Sequence, residues 1–341
     1  MAGSALAMLL FLLLLLPPPA AGRSDGPASR FARGSAADAG SPSRTSAGRR
    51  ADPVIAAAGD IACDPTSGRF NGGDGTDTAC RQRYTGRILR DLHETTNLRA
   101  ILPLGDAQYE CGGLREFERS YALSWGASAL KSISRPVPGN HEYLARGGTG
   151  CSATADGYYS YFGAAAGRPS GGYYSFDVGS WHLIALNSEC KVASCGAGSA
   201  QERWLRADLA ASDAACTLAY WHRPRFSSGR GGGTPEVAPF WRALYEAGAE
   251  IVLVAHFHAY EAFAPQTPAQ RLDSRGLRQF IVGTGGNGLS PFGTVAPHSR
   301  ARNNKTFGVL KLRLHEGSYD WRFVPETGAA FSDAGSGTCH R

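Results

Sequence analysis

From about residue 53 onward, short apolar runs alternate with segments whose apolar residues recur at helical spacing. Residues 54–58 and 100–104 are two such runs, and each predicts a short buried strand. Both runs end in a Gly-Asp dipeptide, which contributes Asp60 and Asp106. Residues 78–92 lie between them and predict a helix, so that strands and helices alternate at the start of the folded region.

The remainder of the chain continues this alternation and then changes to hairpins. Residues 172–187 form two strand-like runs around a Gly-Ser turn, which predicts a β-hairpin. Helical spacing and apolar runs predict further helices at 114–125, 201–209 and 235–247, and further strands at 217–221, 250–254, 279–282, 307–314 and 319–324. The pattern predicts an α/β domain with two stacked mixed sheets flanked by helices.

The first 22 residues have a different composition. Residues 5–16 are almost unbroken Leu, Ala and Phe, too short to span a bilayer comfortably, and Pro-Pro-Pro-Ala-Ala-Gly follows. This predicts a signal peptide over 1–22, and a membrane anchor is the alternative because the leader lacks Lys and Arg. Residues 23–52, rich in Ser, Ala, Gly and Arg, are predicted to form a flexible tail, and 53–341 a single folded domain.

Eight cysteines in a chain with a signal peptide predict disulfides and a secreted protein, extracellular or on the periplasmic or cell-wall side. Sequence allows about 105 pairings. We predict the local pairs Cys63–Cys80 and Cys190–Cys195. The chain has no C-x-x-C pair, which argues against a structural zinc knuckle.

The net charge of +6 is not a nucleic-acid footprint. Half of it lies in the 23–52 tail, where six arginines exceed three aspartates. The predicted domain is therefore only mildly basic, which suits small anionic substrates. We expect no nucleic acid as a stable partner and no membrane contact after signal cleavage. The sequence makes no prediction of the oligomeric state.

Metal-ligating residue types occur at five predicted strand ends. They are Asp60, Asp106 with Tyr109, Asn140 with His141, His222, and His256 with His258. Taken singly, each has a simpler explanation as a turn, a cap or an exposed polar residue. Taken together they predict a site for two metal ions, because the ends of neighbouring strands converge.

The spacing of the last two histidines supports this prediction. Residues two apart in an extended segment point to the same side, roughly 7 Å apart. His256 and His258 would therefore ligate different ions of a close pair, with one carboxylate bridging them. Carboxylate, imidazole, amide and phenol ligands favour Fe, Mn or Zn.

In order and spacing, these motifs resemble the calcineurin-like metallophosphoesterase superfamily, and the tyrosine three residues after Asp106 resembles its purple acid phosphatase branch. The resemblance runs from about residue 53 to 324 and implies a four-layer α/β/β/α sandwich. It implies that Asp60, Tyr109 and His258 bind one ion, typically Fe(III), and that Asn140, His222 and His256 bind a divalent Zn, Mn or Fe. Asp106 would bridge the two ions, and His141 would lie near the leaving-group oxygen.

Three positions depart from this family pattern, and one of them is Ala262, which stands where the family often has an arginine after Tyr-Glu. Ala255 replaces the glycine that usually precedes the first histidine of the last motif, and its methyl group is expected to crowd the site. A phosphate-binding histidine that usually follows His222 is absent, and Arg223 and Arg230 are predicted to bind phosphate instead. Because arginine stays charged, proton donation would fall to His141.

The predicted function is a secreted metal-dependent phosphomonoesterase that uses metal-activated hydroxide. A phosphodiesterase or nucleotidase on the same fold is the nearest alternative. A secreted phosphate-binding protein without turnover and a structural or adhesive protein are alternatives from other classes. The absence of Gly-x-Ser-x-Gly argues against a serine hydrolase. The glycine-rich segment 283–288 is predicted to be a turn near the rim of the site.

Overall fold

A computed structural model of the protein describes residues 51–169 and 171–340. The predicted signal peptide and residues 23–50 of the predicted tail lie outside the described residues. In chain order the strands are β1 Val54–Ala58, β2 Leu98–Pro103, β3 Tyr174–Val178, β4 Trp181–Ala185, β5 Cys216–Tyr220, β6 Ile251–Val254, β7 Tyr260–Phe263, β8 Arg278–Val282, β9 Ser299–Asn303, β10 Gly308–Leu314, β11 Ser318–Pro325 and β12 Ala334–Thr338. The α-helices are α1 Gln82–Thr95, α2 Leu114–Arg119, α3 Ser128–Ser132, α4 Asp156–Phe162, α5 Ala200–Ala211 and α6 Ala238–Glu246.

The strands form two mixed sheets, which confirms the predicted fold class. One sheet has the order β12-β11-β10-β1-β2, with β1 parallel to β2 and antiparallel to β10. The other has the order β3-β4-β5-β6-β8-β7-β9, and its four central strands β4, β5, β6 and β8 are parallel. The predicted hairpin is present as β3 and β4. Parallel neighbours send their carboxyl ends to the same edge, and this edge carries the site.

Alternate residues of the second sheet enter different apolar clusters. Leu218 and Tyr220 of β5 belong to the cluster that also holds residues of the first sheet and of α1. Ala219 between them faces the opposite way and belongs to a cluster with α5 and α6. This period of two is expected for a sheet with both faces covered, which explains its continuous apolar runs. The two sheets therefore stack face to face with helices outside them.

Both predicted disulfides are confirmed, Cys63–Cys80 and Cys190–Cys195. Two more pairs, Cys111–Cys151 and Cys216–Cys339, join residues 40 and 123 apart in sequence. None of the helices in the described ranges is long and apolar enough to cross a membrane. The disulfides agree with an oxidising compartment.

The sequence analysis missed the strands β7, β9 and β12 and the helices α3 and α4. β12 is made of Ala-Gly-Ser-Gly-Thr, which has neither apolar alternation nor β-branched enrichment. It pairs with β11 at the edge of the first sheet, and Cys339 follows it directly. The predicted single helix at 114–125 is also wrong, because α2 ends at Arg119 and Ser120 leaves helical geometry with φ −130°.

Candidate metal centre

The Gly-Asp dipeptides turn the chain sharply as β1 and β2 end. Asp60 and Asp106 have φ angles of 57° and 46°, and His256 after β6 has 69°. These left-handed values are uncommon for residues with a Cβ and are found where structure holds them for a function. Both carboxylates are buried, with exposures of 0% and 1%. The turns therefore aim two buried carboxylates and an imidazole at the same space.

Three of the predicted ligands meet on one side of this space. The Tyr109 hydroxyl donates to Asp60 Oδ1 at 2.9 Å and lies 3.0 Å from His258 Nε2. His258 Nε2 is itself 3.2 Å from Asp60 Oδ1. One carboxylate, one phenol and one imidazole thus point at a common centre.

Three further predicted ligands meet on the other side. His222 Nε2 lies 3.3 Å from Asn140 Oδ1 and 3.2 Å from His256 Nδ1. Its other ring nitrogen, Nδ1, bonds the carbonyl oxygen of Leu104 at 2.9 Å, which fixes the ring and directs Nε2 inward. Ligand atoms of Asp106, His222 and His256 all lie within 4.8 Å of one another.

Asp106 lies between the two groups. Its Oδ2 atom is 3.2 Å from Tyr109 Oη and 3.2 Å from His222 Nε2. Its Oδ1 atom accepts the backbone N–H of His141 at 2.8 Å. Asp106 therefore faces both groups of side chains, and all seven predicted ligands lie together in the structure.

His141 lies at the mouth of the centre. Its Nε2 is 3.9 Å from Asp106 Oδ2, and its ring packs on Tyr109 with 4.2 Å between centroids. Its Nδ1 donates to the Glu110 carbonyl oxygen at 2.5 Å. Since a carbonyl can only accept, the proton on Nδ1 is fixed and Nε2 is the atom that faces the centre.

Without a cation, the electrostatics favour an ionised Asp106 and a neutral His256 but a protonated His222. Burial opposes ionisation of Asp106, yet the adjacent His222 holds its pKa well below the ordinary value. Burial and His222 lower the pKa of His256 to about 3, so this imidazole is neutral. Burial also acts to lower the pKa of His222, but Asp106 raises it to about 10. A cation bound at His222 displaces that proton.

The donor set fits a pair of metal ions. Two carboxylates, a phenol, an amide oxygen and three imidazoles are compatible with Fe, Mn and Zn, and no thiolate is present among them. Without a cation, burial and Asp106 raise the pKa of the Tyr109 phenol well above its ordinary value. A nearby cation reverses this direction, because it favours the phenolate.

Sequence analysis missed Glu142, which connects two of the ligand loops. Its fully buried carboxylate accepts backbone N–H groups of Asp106 at 3.0 Å, Ala107 at 2.8 Å and Gly139 at 2.7 Å. Burial and Asp106 raise its pKa to about 7. The side chain holds the loop after β2 against the turn that carries Asn140. Its place directly after the Asn-His pair was the available sign.

The glycine-rich segment 283–288 lies directly behind Asp60. A Cβ on Gly283 would be 2.7 Å from Asp60 Oδ2, and one on Gly285 would be 2.5 Å from the Gly59 carbonyl oxygen. The segment also donates two backbone hydrogen bonds to this turn, from the Gly285 N–H to the Gly59 carbonyl oxygen and from the Asn287 N–H to the Asp60 carbonyl oxygen. The segment supports the Asp60 turn, and a side chain at position 283 or 285 would collide with it.

Arg223 and Arg230, both predicted to bind phosphate, lie in different surroundings. Arg223 Nη1 is 3.0 Å from His256 Nε2, and Glu189 holds the same guanidinium with contacts of 2.8 and 3.1 Å. Arg230 is exposed, and among the described residues it makes no hydrogen bond to a predicted ligand.

Ala255 packs into the apolar cluster between the sheets. A Cβ on Gly59 would be 2.5 Å from the Ala255 Cβ. Gly59 therefore leaves the room that the Ala255 methyl group needs, and the expected crowding is absorbed on the core side of the strand ends.

Comparison with known proteins finds relatives that match part of the chain. No protein-family model matches the chain. Purple acid phosphatases 21 and 22 of Arabidopsis thaliana are 33% identical over 121 residues and 28% identical over 178 residues. The two alignments cover 34% and 47% of this chain, and 27% and 39% of the relatives. The match thus spans well under half the length of these proteins.

Solved structures show the same fold. Purple acid phosphatase PPD1 from yellow lupin (Lupinus luteus) seeds superposes with a TM-score of 0.65 and 17% identity, covering 84% of this chain and 53% of that one. PhoD gives 0.54 and 14%, covering 84% and 69%. GAP50, described as the anchor in the inner membrane complex of Plasmodium, gives 0.57 and 13%, covering 86% and 90%.

The chain has the fold of the lupin purple acid phosphatase and of PhoD. Part of its sequence is also similar to purple acid phosphatases 21 and 22 of Arabidopsis thaliana. The resemblance drawn from the motifs is confirmed. Fold alone does not fix activity, since GAP50 has this fold and is described as an anchor.

Proposed function

We propose that the protein is a phosphomonoesterase that works with two metal ions. The observation that carries the proposal is the position of Asp106 between two sets of ligand side chains, which come from the loops after β1, β2, β5 and β6 and from the turn that carries Asn140. A protein that used the fold only as a scaffold has no need of buried carboxylates at positive φ. Such strained backbone persists where the surrounding structure holds it for function.

In this proposal one cation is held by Asp60, Tyr109 and His258. The other is held by Asn140, His222 and His256, and Asp106 contributes to both. The phenol favours Fe(III) on the first side, and the imidazoles and amide oxygen suit a divalent Zn, Mn or Fe on the second. The bound cations would supply Lewis-acid charge and an activated water.

The protein's own residues handle the proton and the phosphate. His141 Nε2 faces the centre while Nδ1 is fixed by the Glu110 carbonyl, so the protonated ring donates from Nε2 to the leaving-group oxygen. Arg223 lies against His256 and is oriented by Glu189, from where its guanidinium binds a phosphoryl oxygen. Arg230 is exposed and would act only on a longer substrate.

The setting follows from the cysteines and the leader. Four disulfides in the described residues require an oxidising compartment, so we propose secretion after removal of residues 1–22. Residues 53–341 would be the single catalytic domain, and small phosphate esters its substrates.

The test is metal quantification on the purified protein together with turnover of p-nitrophenyl phosphate and a panel of mono- and diesters. We expect two metal ions per chain and preference for monoesters. If Tyr109 binds Fe(III) as phenolate, the protein is also violet. Asp106→Ala should lower metal content and activity together. Full metal content with no turnover across pH would instead indicate a phosphate-binding protein, and preference for diesters a phosphodiesterase.

A further inference from the structure

A cavity of about 430 Å³ borders Arg223, and none of the seven predicted metal ligands is among its lining residues. One wall is the segment that follows β4, with Ser188, Glu189 and Lys191, and the facing wall is residues 233–236. Pockets of about 300–1,000 Å³ enclose whole organic ligands. A phosphate group alone does not need this volume, so the cavity has room for the rest of an ester.

Arg223 connects the cavity to the metal centre. Three of its N–H groups are used, by Glu189 at Nε and Nη2 and by His256 at Nη1. A guanidinium carries five N–H groups, so two remain without a protein partner among the described residues. Its backbone is also fixed, because the Arg223 N–H donates to Ser188 Oγ at 2.9 Å. The Arg223 guanidinium is therefore a fixed hydrogen-bond donor between the metal centre, where the phosphate would bind, and the cavity, where the rest of the substrate would bind.

The lining has mixed polarity and no net charge. Lys191 and Arg223 oppose Glu189 and Glu236, and hydroxyl groups come from Ser188 and Thr234. The walls therefore present both hydrogen-bond donors and acceptors. A hydroxyl group both donates and accepts, whereas an anionic or cationic group would be repelled by half of the charged lining. An alkyl chain would leave these polar groups without partners.

We infer that this cavity binds the alcohol part of the substrate and that this part is rich in hydroxyl groups, as in a sugar phosphate. The inference rests on the proposed function, since the phosphate is taken to lie at the metal centre. It names a substrate class that the metal ligands alone do not select.

The experiment compares two hydrolysis-resistant ligands on the metal-loaded protein by calorimetry. They are the phosphonate analogue of glucose 6-phosphate and methylphosphonate, which carry the same anionic group. Two additional hydrogen bonds in the cavity should make the sugar phosphonate bind about tenfold more tightly. The kcat/KM values of glucose 6-phosphate and methyl phosphate should differ in the same direction.

The substitution Thr234→Trp fills the cavity with a larger side chain from the wall that residues 233–236 form. Thr234 has extended backbone that accepts any side chain, with φ −105° and ψ 101°. This variant should lose about tenfold in affinity for the sugar phosphonate and less than about twofold for methylphosphonate. Thr95→Trp is the matched control, because Thr95 is exposed at the end of α1 and does not line the cavity. It should behave as the unaltered protein.

The outcomes separate the two proposals. Equal affinity for both phosphonates, or an equal loss of both in Thr234→Trp, overturns the cavity assignment while methylphosphonate binding leaves the metal centre intact. If neither phosphonate binds the metal-loaded protein and no ester is hydrolysed, the proposed function fails as well.

Discussion

Two buried histidines, His222 in the metal centre and His182 on β4, have opposite surroundings. His182 uses both ring nitrogens on carboxylates, Asp177 at 2.8 Å and Asp208 at 2.9 Å. His222 uses only Nδ1 for the fold, on a backbone carbonyl, and directs Nε2 at three other ligand side chains. A ligand histidine thus uses one ring nitrogen to hold its orientation and directs the other at a position that further ligand side chains also face, where a metal ion can bind. Burial alone does not distinguish the two.

The largest expected effect separates these histidines directly. His222→Ala should lower metal content by one ion per chain and kcat/KM by about 10³-fold, since several kcal/mol of charge stabilisation is lost. His182→Ala should leave metal content unchanged and act on stability only. Metal analysis and steady-state kinetics on both variants check this. Equal loss of metal in the two variants would contradict the assignment of His222 as a metal ligand and His182 as a structural residue.

A substitution of Glu142 tests whether metal binding requires the hydrogen bonds that fix the ligand loops, in addition to the ligands themselves. Glu142→Gln places an amide NH₂ against backbone N–H groups, so one side of the carboxylate's contacts becomes repulsive. Metal affinity should fall about 10- to 100-fold, as for other groups that orient ligands. Titration of the metal-free protein with Zn²⁺ measures it. Glu118→Gln on α2 is exposed and should titrate like the unaltered protein.

The smallest effect is a pH dependence from His182. The hydrogen bond that His182 donates to Asp208 is the main cause that raises the pKa of His182, burial opposes this rise, and Asp177 raises the pKa further. A raised folded pKa means that the ion pairs stabilise the protein fully below about pH 6.5, the unfolded value, and less as pH rises through the folded pKa.

Asp208→Asn should therefore destabilise the fold by about 1 kcal/mol at pH 5.5, with a smaller difference at pH 9. Urea denaturation at several pH values measures this, with metal content as the control. A difference that grows toward alkaline pH would refute the assigned sign.

Six of the seven metal ligands were predictable because they follow β1, β2, β5 or β6, whose apolar runs are visible in the sequence. The exception is Asn140, which comes after residues that form only isolated bridges. Once a run ends in Asp, Asn or His, the shared edge of a parallel sheet brings the ends together. The role of Glu142 was not predictable in this way, since it depends on two loops meeting around one carboxylate. The Glu189–Arg223 pair likewise joins segments 34 residues apart, with no periodicity to mark it.

The same limit applies to the covalent links. Cys63–Cys80 and Cys190–Cys195 were predictable because short loops close readily. Cys216–Cys339 joins β5 of the seven-stranded sheet to the residue after β12 of the five-stranded sheet, and only the packing of one sheet on the other brings these positions together. β12 went unnoticed for the same reason, because pairing with β11 rather than its own composition makes it a strand.

The Cys216–Cys339 link encloses β6 to β12, including the histidines after β5 and β6. A protease that nicks any loop between these cysteines leaves both pieces attached, and they separate on a gel only after reduction. The cross-link also cannot close until Cys339 has been synthesised, and Cys339 follows β12. The covalent tie between the two sheets therefore forms only after every strand of both sheets has been made.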